Sequence, residues 1–558
     1  MAFPREIYKA LEDIVGKENI SENIGICETY RNVPAQSSAH YGPSEHWTPL
    51  PQAVILPGST EEVQNIIKVC NKYNIEFKAS TTFWSTMGYI GSDFALQMDL
   101  RRMKSIKIDA KNMCAIVEPY AIAATVQAEA MKLGLNVNIA GVGCSSSTLA
   151  NFSSWVAFGP NSISMGQGSE NILGLEWVLP NGEVLRTGSL GSGDGWFCGE
   201  GPGPSTRGLL RGIFGTAGSS GVCTKMAVRL HPWPGPADFP TYGQAPAYKA
   251  DWGPRFKCYT LCFPDWQAWA RSVQYFHESD VVYSGHRQFN MFGRNLKAAM
   301  IEIITNPELQ LSDLETLVDD PYIKEQNEKM KLDYQIIIAG FSDKDMEYKE
   351  KAVDYILEQT GGWKSEMMLQ KDKHDYALLY LTRLGHKNLN FVMCGAYEGT
   401  FGLSSNVWKT IEVVEEAAAL KRKWEVEHDH IAATGGDSAM GSLSGIGGGG
   451  ATGWEFFTNF DAYDKESIRG TCKFVDGNQE FMNKYSFGSD FCRWNSDCRK
   501  MDGYNYTQEE HNEFYKNTAQ PWVFAYQYKI REMINPKNLC GSYFRTLDPK
   551  ILEEQEQE

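Results

Sequence analysis

The sequence predicts an α+β protein of more than one domain. At 558 residues the chain exceeds what one compact core ordinarily organises, and two or three domains are expected. Between about residues 50 and 118, short β-branched runs alternate with stretches of helical period. Beyond residue 240, longer helical stretches such as SDKDMEYKEKAVDYILEQT (342–360) are interleaved with strand-like runs such as YQIIIAGF (334–341). A bundle or a pure sandwich would show one of these periods, not both.

The elements follow in chain order. AVILP (53–57) reads as a strand; Ser59 and Thr60 followed by Glu62 resemble a helix N-cap, and VQNIIKVCNKYN (63–74) carries apolar residues at helical spacing. IEFKA, ALQMDL and CAIVEP supply further strands, and AIAATVQAEAMKLGL (121–135) a helix ending at Gly134. From 140 to 224 the texture turns to glycine, serine and threonine. Small residues let backbone approach a ligand and present N–H groups to anionic oxygens. Within this region LEWVLPNGEVLRTG is a strand, an Asn-Gly turn and a strand, a strong hairpin signal. HPWPGPADFP (231–240) marks a domain boundary, and a glycine-rich stretch (433–453) precedes the strand-like WEFFTNF. Domains are expected at 1–235, 236–480 and 481–558, with no internal repeat.

Composition narrows the function. With 42% hydrophobic and 22% charged residues the chain is in the globular range, and its net charge of −16 opposes a nonspecific grip on nucleic acid or an anionic membrane. The first residues lack the apolar core of a signal peptide, and no stretch approaches the length of a membrane span, so a soluble cytoplasmic protein is expected. Thirteen cysteines are scattered singly without a C-x-x-C pair. This fits buried free thiols in a reducing compartment, and no metal centre is expected. Neither a P-loop nor a G-x-G-x-x-G opening a helix after a strand is present, which counts against triphosphate and NAD chemistry.

Taken in order, several segments resemble the FAD-binding domain of the vanillyl-alcohol oxidase and p-cresol methylhydroxylase family. These are ALEDIVGKENIS (10–21), PQAVILPGSTEEVQNIIKVCNKYNIEFKAST (51–81), MDLRRMKSIKIDAKNMCAIVEPYA (98–121), ENILGLEWVLPNGEVLRTG (170–188), GLLRGIFGTAGSSGVCTKMAVRLHPWP (208–234) and, more faintly, REMINPKNLCGS (531–542). The resemblance implies a two-subdomain FAD-binding domain of the p-cresol methylhydroxylase type plus an α+β cap (substrate) domain with an antiparallel sheet. The carboxy-terminal segment would return to the FAD domain.

It also implies a site. The pyrophosphate would lie against TTFWSTMGYIG (81–91), giving Thr81, Thr82, Phe83, Trp84, Ser85, Thr86 and Met87 as cofactor-binding residues. The family loop is richer in glycine, and Phe83, Trp84 and Met87 depart from it. Pro119, Gly143, Cys144, Ser145, Ser146, Thr148 and Asn151, with Gly215, Ser219, Gly221 and Val222, would wrap the remaining pyrophosphate and the flavin. Family members often tether FAD through His, Tyr or Cys. The loop position is here Phe83, Trp84 or Ser85 and the cap position Trp454, so noncovalent FAD is expected.

For catalysis, Tyr89 matches a tyrosine that binds substrate phenolate in the phenol-oxidising branch; it either donates to such an oxyanion or packs against the flavin loop. Asp437 either approaches the flavin face as a base or caps a turn. His374, His386, Glu398, His428 and His430 are further cap candidates, the last two as a hydrogen-bonded pair or a two-histidine metal site. Val142 and YSFGSDFCRW (485–494) stand where the phenol branch has other residues. The implied activity is hydride transfer from a small alcohol or para-hydroxybenzyl-type substrate to flavin N5. The alternatives are a 2-hydroxy-acid dehydrogenase of the D-lactate/glycolate type, whose H-x-G-D-G-N-x-H motif is missing, and a flavin-fold protein without turnover. A small-molecule substrate is the expected partner; a protein electron acceptor and a homo-oligomer stay open.

Overall fold

The computed structural model describes residues 3–30, 50–83, 94–139, 144–154, 159–187, 218–238, 240–243, 249–287, 296–382, 395–404, 406–412, 444–446, 451–461, 508–517, 521–541 and 547–555, with a few isolated positions between. The first lobe contains α1 (Arg5–Val15), β1 (Ile20–Ser21), α2 (Ile24–Thr29), β2 (Ala53–Ile55), α3 (Thr60–Tyr73), β3 (Glu76–Ser80) and β4 (Ala95–Asp99). Its sheet runs β1-β2-β4-β3, with β2 and β3 both parallel to β4. Residues Ile7, Leu11 and Val15 of α1, four apart, join Val63, Ile66, Ile67 and Cys70 of α3 in one core. As the spacing predicts, Ser59 Oγ accepts from the Glu62 amide at 3.1 Å, and α3 ends at Asn74 in the left-handed conformation.

The second lobe follows with β5 (Ile106–Asp109), β6 (Cys114–Val117), α4 (Ala123–Met131), β7 (Leu135–Asn136), α5 (Thr148–Ser154), α6 (Ser162–Met165), β8 (Ile172–Val178), β9 (Val184–Arg186), β10 (Val222–Arg229) and β11 (His231–Pro232). Its five-stranded sheet, β5-β6-β10-β8-β9, is antiparallel throughout. The β8–β9 hairpin turns differently from a two-residue Asn-Gly loop. Pro180 has no N–H to close a 180–183 pair, so the chain closes one residue earlier: Leu179 O accepts from the Gly182 amide, the Leu179 amide donates to Glu183 O, and Gly182 takes φ +88°. Asn71 and Gln64 of α3 donate to Pro180 O and Gly182 O, at 2.6 and 2.7 Å, and dock this turn on the first lobe.

The rest of the chain begins with the short pair β12 (Thr241–Tyr242) and β13 (Lys249–Ala250). There follow β14 (Phe256–Cys262), α7 (Trp266–Ser279), β15 (Ser284–His286), α8 (Lys297–Thr305), α9 (Leu314–Asp319), α10 (Pro321–Lys329), β16 (Asp333–Ala339), α11 (Asp343–Thr360), β17 (Trp363–Lys364) and α12 (Lys371–Leu381). An antiparallel sheet, β15-β16-β14-β17, has helices on both faces. Tyr334, Ile336 and Ile338 pack with α7 and α11, whereas Ile337 and Ala339 pack with α8 and α12, the period-2 division of a doubly covered strand. A second antiparallel sheet joins β18 (Gly395–Ser404), β19 (Ser444–Ile446) and β20 (Ala451–Asp461). Helices α13 (Gln508–Lys516), α14 (Pro521–Ile534) and α15 (Pro549–Gln555) close the chain. No helix among the described residues is long and apolar enough to cross a membrane.

The β14–β16 unit is bonded to the second lobe. Asn136 donates to Tyr283 Oη at 2.9 Å, the Gly285 amide to Pro160 O at 2.8 Å, and Gln127 of α4 to Thr382 O at 3.0 Å. Another polar contact there fixes a tautomer. The Asn171 amide nitrogen donates to Met165 O and Gln167 O, which leaves its oxygen as acceptor, so His231 Nε2, 2.7 Å away, carries the hydrogen. Burial, and secondarily Arg229, pushes the His231 imidazole down to about 4. An unfolded chain takes up this proton as pH falls through about 6.5 while the folded one does not, so stability present above that pH is lost on acidification toward 4. The variant His231→Gln is expected to lose about 2 kcal/mol of this acid dependence, a figure discounted for partial exposure. Urea melts at pH 7 and 4.5 check it; parallel curves for variant and wild type would refute it.

Candidate functional site

The side of the first lobe's sheet that points away from its core differs from that core in chemistry. On β3 and β4, Phe77, Leu96 and Met98 enter the first core, so Glu76, Lys78, Ser80, Gln97 and Asp99 share the opposite face. All five are buried. Gln97 Nε2 donates to Ser80 Oγ at 3.2 Å and to Lys78 O at 3.1 Å; Ser92 donates to Glu76. Asp99 is held by Arg101 and by the Tyr30 hydroxyl at 2.7 Å. A polar face this fully buried costs free energy unless partnered, and it lines the strand that leads into residues 81–83.

Of the residues expected in the first loop, Thr81 is buried and Thr82 and Phe83 half-buried. Phe83 adopts φ +53°, a backbone that an aromatic residue rarely takes, and its ring meets Tyr30 edge to face at 5.3 Å. Trp84, Ser85, Thr86, Met87 and Tyr89, together with Gly143, Gly215 and Asp437, lie outside the described residues. So do His386, His428 and His430, and the side chains of Glu398 and Trp454.

The second expected segment is built as a hydroxyl-rich turn. Cys144 O and Ser146 O accept from the Ala124 and Ala123 amides, and Ser147 Oγ donates to Pro119 O at 2.6 Å while accepting from the Ala150 amide. Asn151 donates to Ser146 Oγ and Ser147 O, both at 2.7 Å, so its amide shapes the turn. Ser145 is exposed and Cys144 half-buried. Thr148 Oγ1 is buried with no hydrogen-bond partner among the described residues.

The third segment, 218–221, enters β10. Gly218 and Gly221 have φ of +64° and +104°, Ser219 is buried, and Val222 sits opposite Val178 in the β8–β10 ladder. Glu176 ties the lobes together beside it. Its carboxylate accepts from Thr60 Oγ1 at 2.7 Å and pairs with Arg186 and Lys225; against the opposing pull of burial, these partners lower its pKa.

Sequence reasoning missed four residues beneath this turn: Lys78, Arg531, Asn535 and Cys540. Asn535 Nδ2 donates to Ser219 O at 3.1 Å, and Cys540 Sγ accepts from the Gly221 amide at 3.3 Å and donates to Gly218 O at 3.5 Å. Burial, with a smaller push from Arg531, brings the Lys78 ammonium down to about 8. The segment NPKN (535–538) reads as a turn, but nothing local signals its target some 320 residues away.

His374 plays a structural part. Its Nε2 accepts from the Cys258 amide at 3.0 Å, and Asp375 flanks its Nδ1. Among the described residues no cluster of His, Cys, Asp or Glu is arranged to hold a metal.

Residues 51–188 match the FAD binding domain family. The chain is 29% identical over 242 residues to the flavoprotein subunit of 4-cresol dehydrogenase (hydroxylating) from Pseudomonas putida, an alignment covering 40% of this chain and 41% of that one. It is 27% identical over 236 residues to the mitochondrial D-lactate dehydrogenase (cytochrome) of Arabidopsis thaliana, covering 41% and 38% respectively. The chain thus spans less than half the length of these curated relatives. The fold of p-cresol methylhydroxylase with substrate bound superposes with a TM-score of 0.68 at 16% identity, over 97% of this chain and 96% of that one. The cofactor of this domain is FAD. The residues present suit it: a buried hydroxyl at Thr148 with bonding capacity to spare, and glycines whose positive φ brings backbone close, are what an extended diphosphate-bearing ligand uses.

Proposed function

We propose that this chain, a member of the p-cresol methylhydroxylase-type FAD-binding proteins through its residues 51–188, is an FAD-dependent oxidoreductase acting on a small alcohol or para-hydroxybenzyl-type substrate. The observation that carries this reading is the pairing of an FAD binding domain with a separate antiparallel sheet bonded to its second lobe. On this reading residues 1–235 clasp FAD, 236–480 roof the substrate and 481–558 return to the FAD lobes. The chemistry FAD supplies when bound is acceptance of a hydride at flavin N5.

The chain's own groups do the rest. Thr81 to Met87, Pro119, the 143–151 turn and the segment from Gly215 to Val222 bind and orient the cofactor. Tyr89 donates its hydroxyl hydrogen to the substrate oxygen, and Asp437 takes the proton released as the substrate carbon is oxidised. FAD is held without a covalent bond. Similarity to a D-lactate dehydrogenase favours, as a second reading, a 2-hydroxy acid in the same place.

The test is spectroscopic. The purified protein is expected to be yellow, its flavin absorbance to bleach anaerobically with a 4-alkylphenol or benzylic alcohol, and acid precipitation to leave the flavin in solution. Bleaching by D-2-hydroxy acids alone would transfer the assignment to the second reading. A colourless protein that takes up no FAD would overturn both, and flavin remaining on the precipitate would overturn the noncovalent assignment.

A further inference from the structure

We propose that residues 531–541 are a positioning clasp for the cofactor, in which Asn535 and Cys540 hold β3 and the 218–221 turn in the arrangement that binds FAD; this rests on the reading of the FAD site given above. The segment joins the first sheet: the Phe77 amide donates to Leu539 O at 2.8 Å, the Gly541 amide donates to Phe77 O at 3.1 Å, and Cys540 bridges Phe77 in parallel register. The same few residues grip the second lobe through Asn535 on Ser219 O and Cys540 on Gly218 O and the Gly221 amide. Asn535 Nδ2 also donates to Cys540 O at 2.9 Å, and Arg531 to Gly541 O at 3.1 Å, which closes the clasp on itself. Lys537 adds a bond to Asn71 O at the end of α3.

The contact is close: a Cβ on Gly541 would lie 3.2 Å from Ser219 Cα and 3.3 Å from Lys78 Nζ, and the φ of +57° there favours glycine. One strand leads into the 81–83 segment and the other leaves the 218–221 turn, so the clasp fixes the position of β3 relative to that turn. Where those segments must be ordered by the ligand, binding free energy is spent on ordering them and affinity falls. By linkage, a clasp that strengthens FAD binding is itself strengthened by FAD.

Cys540→Val keeps the volume but abandons the Gly221 amide; Cys540→Ser restores a donor and acceptor. Measured by quenching of flavin fluorescence on reconstituted apoprotein, Cys540→Val and Asn535→Leu are expected to weaken FAD binding about tenfold, corresponding to about 1.4 kcal/mol, with Cys540→Ser near wild type. Hydrogen exchange on the unmutated protein decides the matter even where a variant does not fold: amides of 531–541 should gain protection on adding FAD together with those of 76–80 and 218–224. Wild-type affinity in both disruptive variants, or exchange in 531–541 indifferent to FAD, overturns the clasp while leaving the site intact. A wild-type protein that takes up no FAD overturns the site and the clasp together.

Discussion

Replacing Asp333 with alanine is expected to cost about 3 to 5 kcal/mol of stability, because it strands a buried cation. Lys297 Nζ lies 2.7 Å from the Asp333 carboxylate, and the two side chains are 6% and 1% exposed. Lys297 also donates to Met330 O at 3.1 Å, so its ammonium cannot swing to water without leaving α8 and β16 unlinked. The attraction within the pair mostly offsets the desolvation of both groups, so the large loss belongs to breaking it rather than to lacking it. Lys297→Met combined with Asp333→Leu should therefore recover most of what Asp333→Ala loses. Urea unfolding of the three variants checks the claim; a loss below about 1 kcal/mol for Asp333→Ala would mean the pair is solvated.

Gly221→Ala is the second large effect, and it strikes the cofactor side. A Cβ at this position would stand 2.3 Å from Val178 O and 2.8 Å from Trp177 Nε1, both in the strand that β10 pairs with. The carbonyl oxygen is backbone and cannot step aside without opening the ladder. The φ of +104° adds its own cost for any residue with a Cβ. Together these predict a loss of about 3 kcal/mol or more. The turn on which Ser219 and Val222 depend would be displaced, and FAD retention should fall with it. Gly253→Ala is the control: its φ is +68° but nothing lies within 4 Å of the added Cβ, so only the conformational cost of about 1 kcal/mol applies. If both variants melt alike and keep FAD equally, steric contact with β8 is not what selects glycine at 221.

Much of the architecture is legible in the sequence because its signals are local. The Ser59 cap, the apolar spacing of α3 and the helix from Asp343 to Thr360 each follow from a few adjacent residues whose backbone bonds close within one turn. The β8–β9 hairpin is legible for the same reason, although Pro180 in the turn imposes a longer loop than Asn-Gly by itself suggests. Asn151 lies beside the 144–148 turn, where its amide shapes the loop from within. His374 is a candidate base by residue type, but its nitrogen is engaged by a strand amide. Nothing in its neighbours in sequence could reveal that.

By itself, the sequence determined the alternation of strands and helices, the glycine- and serine-rich segments able to approach an anionic ligand, and, through ordered motifs, an FAD binding domain. Only the tertiary structure decided that Glu76, Lys78 and Ser80 turn a buried polar face away from the first core, and that Asn535 and Cys540 reach the 218–221 turn. The physical reason is range. Caps, turns and amphipathic periods are set by bonds between residues a few positions apart, whereas a buried lysine or cysteine gains its environment from segments brought together when the sheets pack.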